Sequence, residues 1–440
     1  MRLAAMNLKG VNILVDGYNL ELFQGTGIKT YGVSLIKSLE LLGANVNILL
    51  SNKYSRIDTM LDDELISDDE SKILSNFNIS KDILKALSKV SFNAKELTFS
   101  AKELTLTKAF ISNSNRFEYI DSCSGFFGLH GCYKIANFLY KGIGISTNIN
   151  IPSKIDIWHA TYPLPIKITR TKKITTVHDL IPLRLTHTTK DNKEVFYKKV
   201  KDSIKDSSAI ITVSEASKND LLELFDVNQD KIHVTYQPLA LDTSTVGENE
   251  LLVNLNKHGL KHKDYILFVG AIEPKKNIGR LLDAYASIDT HMPLIIVGKR
   301  GWLWEGEIRK IERMFGQYQR KVKLLEYVTG NELKCLYTGA YCFVFPSLYE
   351  GFGLPPLEAM AFGCPVITSN ISSLPEVCGE AALYVNPYDT SDIQKNIEKL
   401  INDPQLCKEL SSLGKERAQT FSMDNYMKRL SKVYTSVLYP

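Results

Sequence analysis

Short apolar runs alternate with longer amphipathic stretches at the start of the chain. Residues 11–17 and 45–50 have the pattern of buried strands, and residues 30–43 between them have helical spacing. Strand, loop, helix and strand in this order predict the beginning of a parallel α/β domain. The alternation continues with strands predicted further along the chain, the last two separated by a helical stretch: 155–160, 173–179 and 209–214.

A second alternation begins after residue 245. The run at 265–272 predicts a buried strand, and 277–288 predicts a helix for which Asn277 is placed as the N-cap. A helix ends at 359–363, and further strands are predicted at 293–299, 321–328, 342–347, 364–369 and 381–387. Two α/β domains joined near 238–250 follow from this pattern.

These boundaries define the expected domain organisation. Residues 1–240 form the first domain and residues 241–422 the second, and a helix at 423–440 is expected to return to the first domain. Ligands of such folds bind outside the carboxyl ends of the strands. The cleft between the two domains is therefore the expected ligand site.

The segment 52–150 interrupts the first alternation. It is rich in Lys, Ser, Asn and Asp, and the pentapeptide AKELT occurs at 94–98 and again at 101–105, a spacing that predicts a helix. Residues 126–145 are aromatic, glycine-bearing and basic, which fits either a helix packed on the domain or a membrane-surface segment. The aromatic residues that would favour the membrane interface are Phe126, Phe127, Tyr133, Phe138 and Tyr140. A packed subdomain that shapes an acceptor groove or a dimer contact is the competing interpretation.

Composition narrows the functional classes. The chain has 440 residues, 44% of them hydrophobic and 23% charged, which is typical of a soluble globular protein with two domains. A net charge of only +4 gives no indication of nucleic-acid binding. Seven cysteines without a CxxC pair indicate neither a zinc ribbon nor a disulfide framework. The N-terminal apolar run is broken by Asn7 and Lys9, unlike a signal peptide, and no run is long enough to span a bilayer. A cytoplasmic protein is expected.

The stretch LYEGFGLPPLEAM at 348–360 carries the most specific chemistry. A strand ends at residue 347, and a glycine-bearing turn leads into a helix that starts near Pro355. Free backbone N–H groups and the helix dipole make such a helix start an anion site, and Gly353 lets a diphosphate approach the backbone. Glu350 and Glu358 flank this turn, and carboxylates accept hydrogen bonds from sugar hydroxyls. The pattern therefore predicts a nucleoside diphosphate sugar, with one acid for the hexose and the other for the ribose.

Residues 346–387, which contain this stretch, resemble the signature of family-4 retaining glycosyltransferases, which have the GT-B fold and a Glu-x7-Glu motif. Residues 268–285 resemble the donor-phosphate loop of the same family, and 213–223 and 25–40 resemble its first-domain motifs. The resemblance implies an α/β fold with two Rossmann-like domains facing a central cleft. It covers 11–40, 155–240 and 265–440 and fails over 52–150.

The resemblance also implies roles for individual residues. Glu350 would contact the transferred hexose, Glu358 would hold the ribose, and Lys276 would neutralise the leaving diphosphate, a charge that develops in the transition state. Gly353 and Leu354 would give N–H groups to the phosphates, and Gly351 and Phe352 are further nucleotide-sugar-binding positions of the turn. The remaining implied positions are His178 near the sugar, Gly27 and Gly270 in loops that face the phosphates, and Tyr327 and Val328 at the base pocket.

A second phosphate-binding cation is not assigned. Many relatives carry an Arg where this chain has Ala271, and Lys275, Lys299 or Arg300 could replace it. The pairs Asp62-Asp63 and Asp68-Asp69 look like a metal-binding Asp-x-Asp site, but no strand precedes them, so a solvated face is the preferred interpretation. No metal and no other cofactor are expected, because Lys276 and the helix start can bind the diphosphate.

The leading interpretation is a retaining hexosyltransferase. Residues 269–277 and 295–305 resemble bacterial mannosyltransferases that use GDP-mannose to build surface polysaccharide, so GDP-mannose is favoured, and a UDP-hexose or dTDP-rhamnose stays open. The acceptor would be a growing glycan, of the O-antigen or surface-polysaccharide type, on a polyprenyl diphosphate at the inner membrane face, where the enzyme could be peripheral. A non-catalytic nucleotide-sugar-binding subunit is the alternative from another class. A pyridine-nucleotide dehydrogenase is excluded because 25–32 lacks the third glycine of GxGxxG.

Overall fold

A computed structural model gives the architecture of the chain. It describes residues 8–21, 27–51, 91–93, 96–104, 120–189, 191–301, 303–318 and 321–440. The Asp pairs at 62–63 and 68–69 lie outside the described residues, as does most of the polar segment around them. The described elements form two α/β domains, as the two hydrophobic alternations predict.

The described residues of the first domain form an eight-stranded sheet and a smaller four-stranded sheet. Its strands are β1 Asn12–Asp16, β2 Asn45–Leu50, β3 Ser91–Asn93, β4 Glu96–Ser100, β5 Lys102–Leu104, β6 Gly125–Gly128, β7 Thr147–Asn150, β8 Ile157–Ala160, β9 Ile166–Ile168, β10 Lys172–Val177, β11 Ala209–Thr212 and β12 Ile232–Val234. The helices in its described residues are α1 Gly27–Leu41, α2 Cys132–Ile143, α3 Ile181–Arg184, α4 Lys193–Asp206 and α5 Glu215–Leu224.

The strand order of the large sheet is β12-β11-β10-β8-β1-β2-β6-β5, and its pairs are parallel except β5 with β6. From β1 the chain first builds one side of the sheet through β2 and then the other side from β8 onward. The order therefore reverses between β1 and β8, and ligands bind at such a reversal in open α/β sheets. The carboxyl ends of these two strands lie at Asp16 and Ala160, and the Asp16 side chain accepts the N–H of Thr161, the residue after β8.

The segment 52–150 is part of this architecture in its described portions, and two sequence predictions fail there. The AKELT stretches contribute strands β4 and β5 and not a helix. Strand β6 pairs with β2 in the main sheet, which buries Phe126 and Phe127 to 7% and 2% exposure. A membrane segment carried by these two rings is therefore wrong, and α2 packs on the domain with Tyr133 and Tyr140 buried.

The second domain is a six-stranded parallel sheet between helices. Its strands are β13 Ile266–Val269, β14 Leu294–Val297, β15 Val322–Leu325, β16 Cys342–Phe345, β17 Val366–Ser369 and β18 Ala382–Val385. Its helices are α6 Glu248–Lys257, α7 Ile278–Ala286, α8 Glu305–Tyr318, α9 Gly330–Gly339, α10 Leu354–Ala361, α11 Leu374–Cys378, α12 Thr390–Asn402 and α13 Pro404–Gln419. The order β15-β14-β13-β16-β17-β18 reverses between β13 and β16, so the loops after these two strands form the expected crevice.

Asn277 occupies the N-cap position of α7 in a left-handed conformation, but its side chain does not cap the helix. Its amide instead donates to the carbonyls of Pro346 and Pro387 at 2.9 and 2.6 Å. The predicted N-cap hydrogen bond is therefore wrong. Asn277 joins the loop after β13 to the loop after β16, so the two sides of the crevice are held at a fixed separation.

The last helix, α14 Met423–Leu438, leaves the second domain and packs on the first. The Tyr434 hydroxyl bonds the buried His159 ring at 2.5 Å, and Lys172 donates to the Val437 carbonyl at 2.8 Å. The chain thus crosses between domains twice. The two crossings touch, because the Leu239 N–H donates to the Phe421 carbonyl at 3.0 Å. None of the helices in the described part of the chain is both long and apolar enough to cross a membrane.

Candidate active site

The loop after β16 enters α10 through a turn that requires glycine at its end. Gly353 is the N-cap of α10 with φ 107°, in the left-handed region that favours glycine. A Cβ at this position would also lie 2.8 Å from a methyl group of Leu374. Proline stands in the first turn of α10, where its missing N–H costs no helical hydrogen bond. The N–H groups at this helix start remain available to an anion.

Serine side chains from the loop after β17 fix the peptide groups of this turn. The Ser373 hydroxyl shares its one proton between two carbonyls, that of Phe352 at 2.7 Å and that of Glu350 at 3.0 Å. The Ser372 hydroxyl accepts the Glu350 N–H at 3.1 Å. Since a peptide unit is planar, holding the Phe352 carbonyl also sets the direction of the Gly353 N–H.

Glu350 and Lys276 form a buried ion pair at the point where the two loops meet. Lys276 Nζ lies 2.6 Å from Glu350 Oε1, and the Ser347 hydroxyl donates to the same oxygen at 2.6 Å. Burial alone would raise the pKa of Glu350, but the charges of Lys276 and Lys275 and these hydrogen bonds hold it below its ordinary value. Glu350 is therefore ionised at neutral pH, and Oε2 is the oxygen left to accept a ligand hydroxyl.

Lys275 places a second positive charge beside this pair. Its Nζ lies 3.4 Å from Glu273, and although burial opposes its charge, Glu350, Glu273 and Asp179 raise its pKa. Arg300, another candidate for the second cation, is engaged elsewhere, with Glu326 at 3.0 Å and the Trp304 ring at 4.5 Å. Lys299 is half-buried at the end of β14. Of the three candidates, Lys275 is the one whose charge acts on Glu350.

Glu358 lies one turn into α10, partly buried, and accepts a hydrogen bond from the Tyr337 hydroxyl at 2.9 Å. Burial raises its pKa to about 7, and the Tyr337 hydrogen bond only partly offsets that effect. Glu350 and Glu358 therefore differ in protonation: the first is held as a carboxylate, and the second changes charge near neutral pH. A hydroxyl pair donated by a ribose would favour the ionised form of Glu358.

His178, in the first domain, lies with its backbone carbonyl beside Gly351 of the anion-binding turn. Its Nε2–H donates to the Thr161 carbonyl at 2.9 Å, and its ring packs edge-on against Tyr31 with centroids 4.8 Å apart. Burial lowers its pKa to about 4, so the imidazole is neutral. Asp16, at the end of β1, accepts the N–H of Thr161 and thereby supports the same contact. Asp179, the residue after His178, has a pKa raised by burial and lies within electrostatic range of Lys275 and Glu350.

The other expected positions lie at the ends of helices and strands in the two domains. Gly27 begins α1 with open space where a Cβ would stand. Gly270 follows β13, and a Cβ there would make ordinary contacts of 3.4 Å or more. Gly298 is the glycine that the packing demands, because its Cβ would lie 1.8 Å from the Gly270 carbonyl oxygen. Tyr327 is 85% exposed after β15, and Val328 is half-buried.

Several residues of the site were not anticipated from the sequence. They are Asp16, Asp179, Ser347, Tyr337, Ser372 and Ser373. Asp179 directly follows His178, and Ser347 ends the strand before Glu350, so position in the motif was an available signal for both. Tyr337 had no such signal, because its contact with Glu358 depends on how α9 packs against α10.

The arrangement combines an anion-binding helix start, a buried lysine beside an ionised glutamate, and a second, titratable glutamate further along the helix. It can bind a diphosphate with sugar hydroxyls on both sides, and stabilise negative charge that develops on the diphosphate. Among the described residues, no three His, Cys, Asp or Glu side chains are grouped to hold a metal ion.

Two family models match the chain, one in each domain. Residues 254–417 match the model described as Glycosyl transferases group 1, and residues 137–243 match Glycosyltransferase Family 4. The first range contains Lys276, Glu350 and Glu358, and the second contains His178.

Bacterial mannosyltransferases are among the most similar named proteins. The Escherichia coli protein named O-antigen chain mannosyltransferase B is 36% identical over 279 residues, which cover 61% of this chain and 71% of that protein. O-antigen chain mannosyltransferase RfbU of Salmonella typhimurium is 34% identical over 252 residues, or 53% of this chain and 67% of RfbU. The match to the E. coli serotype-specific mannosyltransferase WbdA, 31% identical, covers 60% of this chain and only 33% of WbdA.

Solved structures agree over nearly the whole chain. Sucrose-phosphate synthase from Thermosynechococcus elongatus has a TM-score of 0.65 at 19% identity, covering 97% of this chain and 98% of that one. Anabaena Alr3699/HepE, solved with UDP and glucose, has a TM-score of 0.63 at 13% identity, covering 97% and 100%. Identities this low establish the fold alone. With the two sheets described above, they confirm the predicted GT-B architecture.

Proposed function

The chain belongs to the glycosyl transferases group 1 family, and from that premise we propose that it is a retaining mannosyltransferase that uses GDP-mannose to extend a surface glycan of the O-antigen type. The observation that carries the catalytic part is the Lys276–Glu350 pair, 2.6 Å apart beneath the turn into α10. The names of the similar E. coli and Salmonella proteins support mannose as the sugar and an O-antigen chain as the acceptor.

Donor binding uses groups of the second domain. The diphosphate lies over the N–H groups at the start of α10, and the Lys276 ammonium, which has three N–H donors, bonds a phosphate oxygen while it keeps its contact with Glu350. Glu358 accepts hydrogen bonds from the ribose. Tyr327 and Val328 border the base. Because the lysine and the helix start neutralise the diphosphate, no metal ion is required.

Transfer breaks the bond between the anomeric carbon and the diphosphate oxygen and forms a bond from that carbon to an acceptor hydroxyl oxygen. In the retaining reaction the hydroxyl approaches the face that the diphosphate leaves, and its proton passes to the departing phosphate oxygen. Glu350, held ionised by Lys276 and Lys275, places negative charge beside the positive charge that develops on the sugar. His178 is neutral, and its Nε2–H is committed to Thr161, so it positions the sugar without supplying a proton.

The donor is tested by a panel of GDP, UDP and dTDP sugars. Thermal shift measures binding, since a ligand at a hundred times its dissociation constant adds ~2.7 kcal/mol of stability. Nucleoside diphosphate release with a glycan acceptor measures transfer, and NMR of the product gives the anomeric configuration. Turnover with GDP-mannose and retained configuration are expected. Turnover with a UDP-hexose or dTDP-rhamnose alone would overturn the donor, and binding without turnover of any sugar would favour a non-catalytic subunit.

The two glutamates are separated by substitution. Glu350→Ala should abolish transfer and change the affinity for the nucleoside diphosphate little, because its carboxylate is assigned to the sugar. Glu358→Ala should weaken nucleoside diphosphate binding, because its carboxylate is assigned to the ribose. Near-normal turnover of Glu350→Ala would contradict the assignment.

We further propose that the acceptor is carried on a polyprenyl diphosphate, and that the enzyme docks peripherally on the anionic cytoplasmic face of the membrane. Helices α2 and α4 support this, because the Tyr140 hydroxyl donates to Asp202 at 2.6 Å and joins them into one surface. Phe138 and Ile143 protrude from α2, 54% and 61% exposed. The exposed lysines of the two helices are Lys134, Lys141, Lys198, Lys201 and Lys205. Lysines attract anionic head groups, and apolar side chains enter the interface.

Vesicle flotation tests this docking surface. The protein should float with anionic vesicles at low salt, and Phe138→Ser/Ile143→Ser should remain unbound. The matched control is Leu252→Ser/Val253→Ser, which removes two exposed apolar side chains from α6 in the second domain and should still float. Absence of flotation by the unsubstituted protein would end the membrane proposal and leave the donor proposal intact.

A further inference from the structure

The first turn of α5, in the first domain, packs against the turn into α10, in the second. Ser214 caps α5, because its hydroxyl oxygen accepts the Ser217 N–H at 3.0 Å. Its single hydroxyl proton has its nearest acceptor across the cleft, the Gly351 carbonyl at 2.6 Å. The Ser217 hydroxyl donates to the His178 carbonyl at 2.7 Å. Both serines are fully buried in this contact.

Gly351 is a glycine because of the opposite domain. Its φ is not in the left-handed region, so its own backbone accepts a side chain. A Cβ at Gly351 would, however, lie 2.5 Å from the His178 carbonyl oxygen and 3.0 Å from the Asp179 Cβ. Contact between the domains at this point therefore requires residue 351 to lack a side chain.

A carboxylate of the second domain completes the cap of α5. Glu376, in α11, accepts the N–H groups of Glu215 and Ala216 at 2.7 and 3.2 Å. Negative charge at a helix start is favourable because of the helix dipole. Arg417 donates to the backbone carbonyls of Glu376 and Val377 at 2.6 and 2.9 Å, which fixes α11. Glu376 thus bonds the free N–H groups of a helix in the other domain.

These contacts act on the anion-binding turn through peptide planarity. The Gly351 carbonyl and the Phe352 N–H belong to one trans peptide unit, so they point in opposite directions. Ser214 holds that carbonyl from the first domain and thereby directs the Phe352 N–H. Ser373 holds the Phe352 carbonyl from within the second domain and thereby directs the Gly353 N–H. The direction of the Gly353 N–H is therefore set within the second domain, and that of the Phe352 N–H is set by the first domain.

We propose that Ser214 and Glu376 are positioning residues for glycosyl transfer: they orient the Phe352 N–H toward the donor diphosphate and do so only while the two domains are closed. Glu376 holds α5 against the second domain, and Ser214 transmits that contact to the turn. The proposal rests on the diphosphate-binding role of the turn given under the proposed function, and it holds for any nucleotide sugar.

The test compares Ser214→Ala and Glu376→Ala with Asn192→Ala. Asn192 caps α4 with a side-chain bond to the Val195 N–H at 3.1 Å, so its loss removes a helix cap whose bond lies within the first domain. In Ser214→Ala and Glu376→Ala, the two cleft variants, kcat should fall about tenfold or more. This fall is smaller than the one caused by removing a group that donates directly to a developing oxyanion. The nucleoside diphosphate affinity should change little, and Asn192→Ala should keep its kcat. Ser214→Thr, which retains the hydroxyl, should restore kcat.

Hydrogen–deuterium exchange gives a readout that does not need turnover. Nucleoside diphosphate should slow exchange at residues 351–354 and at the start of α5 together in the unsubstituted protein. In Glu376→Ala it should protect only 351–354. Equal kcat and equal exchange in the cleft variants and Asn192→Ala would overturn the proposal. If the unsubstituted protein turns over none of the donors, the proposed function is wrong. The exchange experiment would still test whether Ser214 and Glu376 couple the two domains.

Discussion

The two walls of the cleft contribute different kinds of groups. The second domain supplies Lys276, Glu350 and Glu358: the charge of Lys276 lowers the pKa of Glu350, and burial raises the pKa of Glu358. The first domain supplies a neutral imidazole at His178 and a hydroxyl at Ser214, with Asp179 as the acid whose pKa burial raises. The second domain therefore supplies the charges that act on a donor, and the first domain holds the anion-binding turn from across the cleft. Substitutions of the charged residues should change electrostatics, and those at the contact between the domains should change positions.

The largest expected effect is on folding of the first domain. Phe127 lies in β6, and its ring is 2% exposed in the core of the first domain. Phe127→Ala should therefore lower the free energy of unfolding by about 3–5 kcal/mol. Phe138→Ala, at a ring 54% exposed on α2, should change it by at most about 0.5 kcal/mol. Urea denaturation measures both. Equal, small losses would mean that β6 is not part of the sheet core.

The next effect concerns the charged wall. Lys276→Ala removes the cation assigned to the leaving diphosphate and leaves Glu350 buried without its partner, so kcat should fall about 100- to 1,000-fold. Lys299→Ala is the control and should retain activity. The unsubstituted enzyme should also stay active in excess EDTA. A complete loss on chelation that magnesium reverses would contradict metal-free transfer and bring the Asp pairs at 62–63 and 68–69 back into consideration.

Alanine substitutions at two glycines of the same turn separate the contributions of the two domains, because each glycine is packed against a different domain. Gly353→Ala strains a left-handed backbone and contacts Leu374 within the second domain, so it should weaken nucleoside diphosphate binding itself. Gly351→Ala meets only the opposite domain, so it should keep nucleoside diphosphate affinity and lose about tenfold in kcat, as a purely geometric defect would. Calorimetry and steady-state kinetics on both variants separate the cases. Identical losses of affinity would show that the walls do not act separately.

The smallest effect is a pH dependence of stability. The pKa of Glu358 is raised to about 7 in the folded protein and is ordinary, near 4.5, when unfolded. Between these values the folded state binds the additional proton, so stability falls as pH rises from 4.5 to 7. Glu358→Gln cannot ionise, so its stability relative to the unsubstituted protein should be higher at pH 8 than at pH 5. A difference that does not depend on pH would show that Glu358 is not titrating in this range.

Much of the fold was predictable because the strands are buried on both faces. Parallel strands covered by helices consist of nearly continuous apolar runs, and the runs at 265–272 and 342–347 lead directly to β13 and β16. The charged wall was equally accessible, since Glu350, Glu358 and the turn between them lie within one short stretch. Local sequence alone predicted the strands and the two glutamates, whereas the role of Lys276 followed from the family resemblance.

The failures have a common physical origin in long-range contacts. AKELT has charged and apolar positions that fit a helix, but pairing of β4 with β7 and β5 with β6 makes it strand. Asn277 has the residue type of an N-cap, but two proline carbonyls from distant loops compete for its amide. Phe126 and Phe127 looked interfacial because the sequence does not show that β2 lies beside them. Ser214 likewise gains its role from a residue 137 positions away.

The paired crossings at Leu239 and Phe421 determine how the cleft can open. Phe421 packs edge-on against Phe352 of the anion-binding turn at 5.5 Å, and against Tyr236 at 5.5 Å. Two chain segments that are joined at one place act as a pivot. Rotation about it displaces groups in proportion to their distance, so Phe352, which contacts Phe421, moves less than groups farther from this contact.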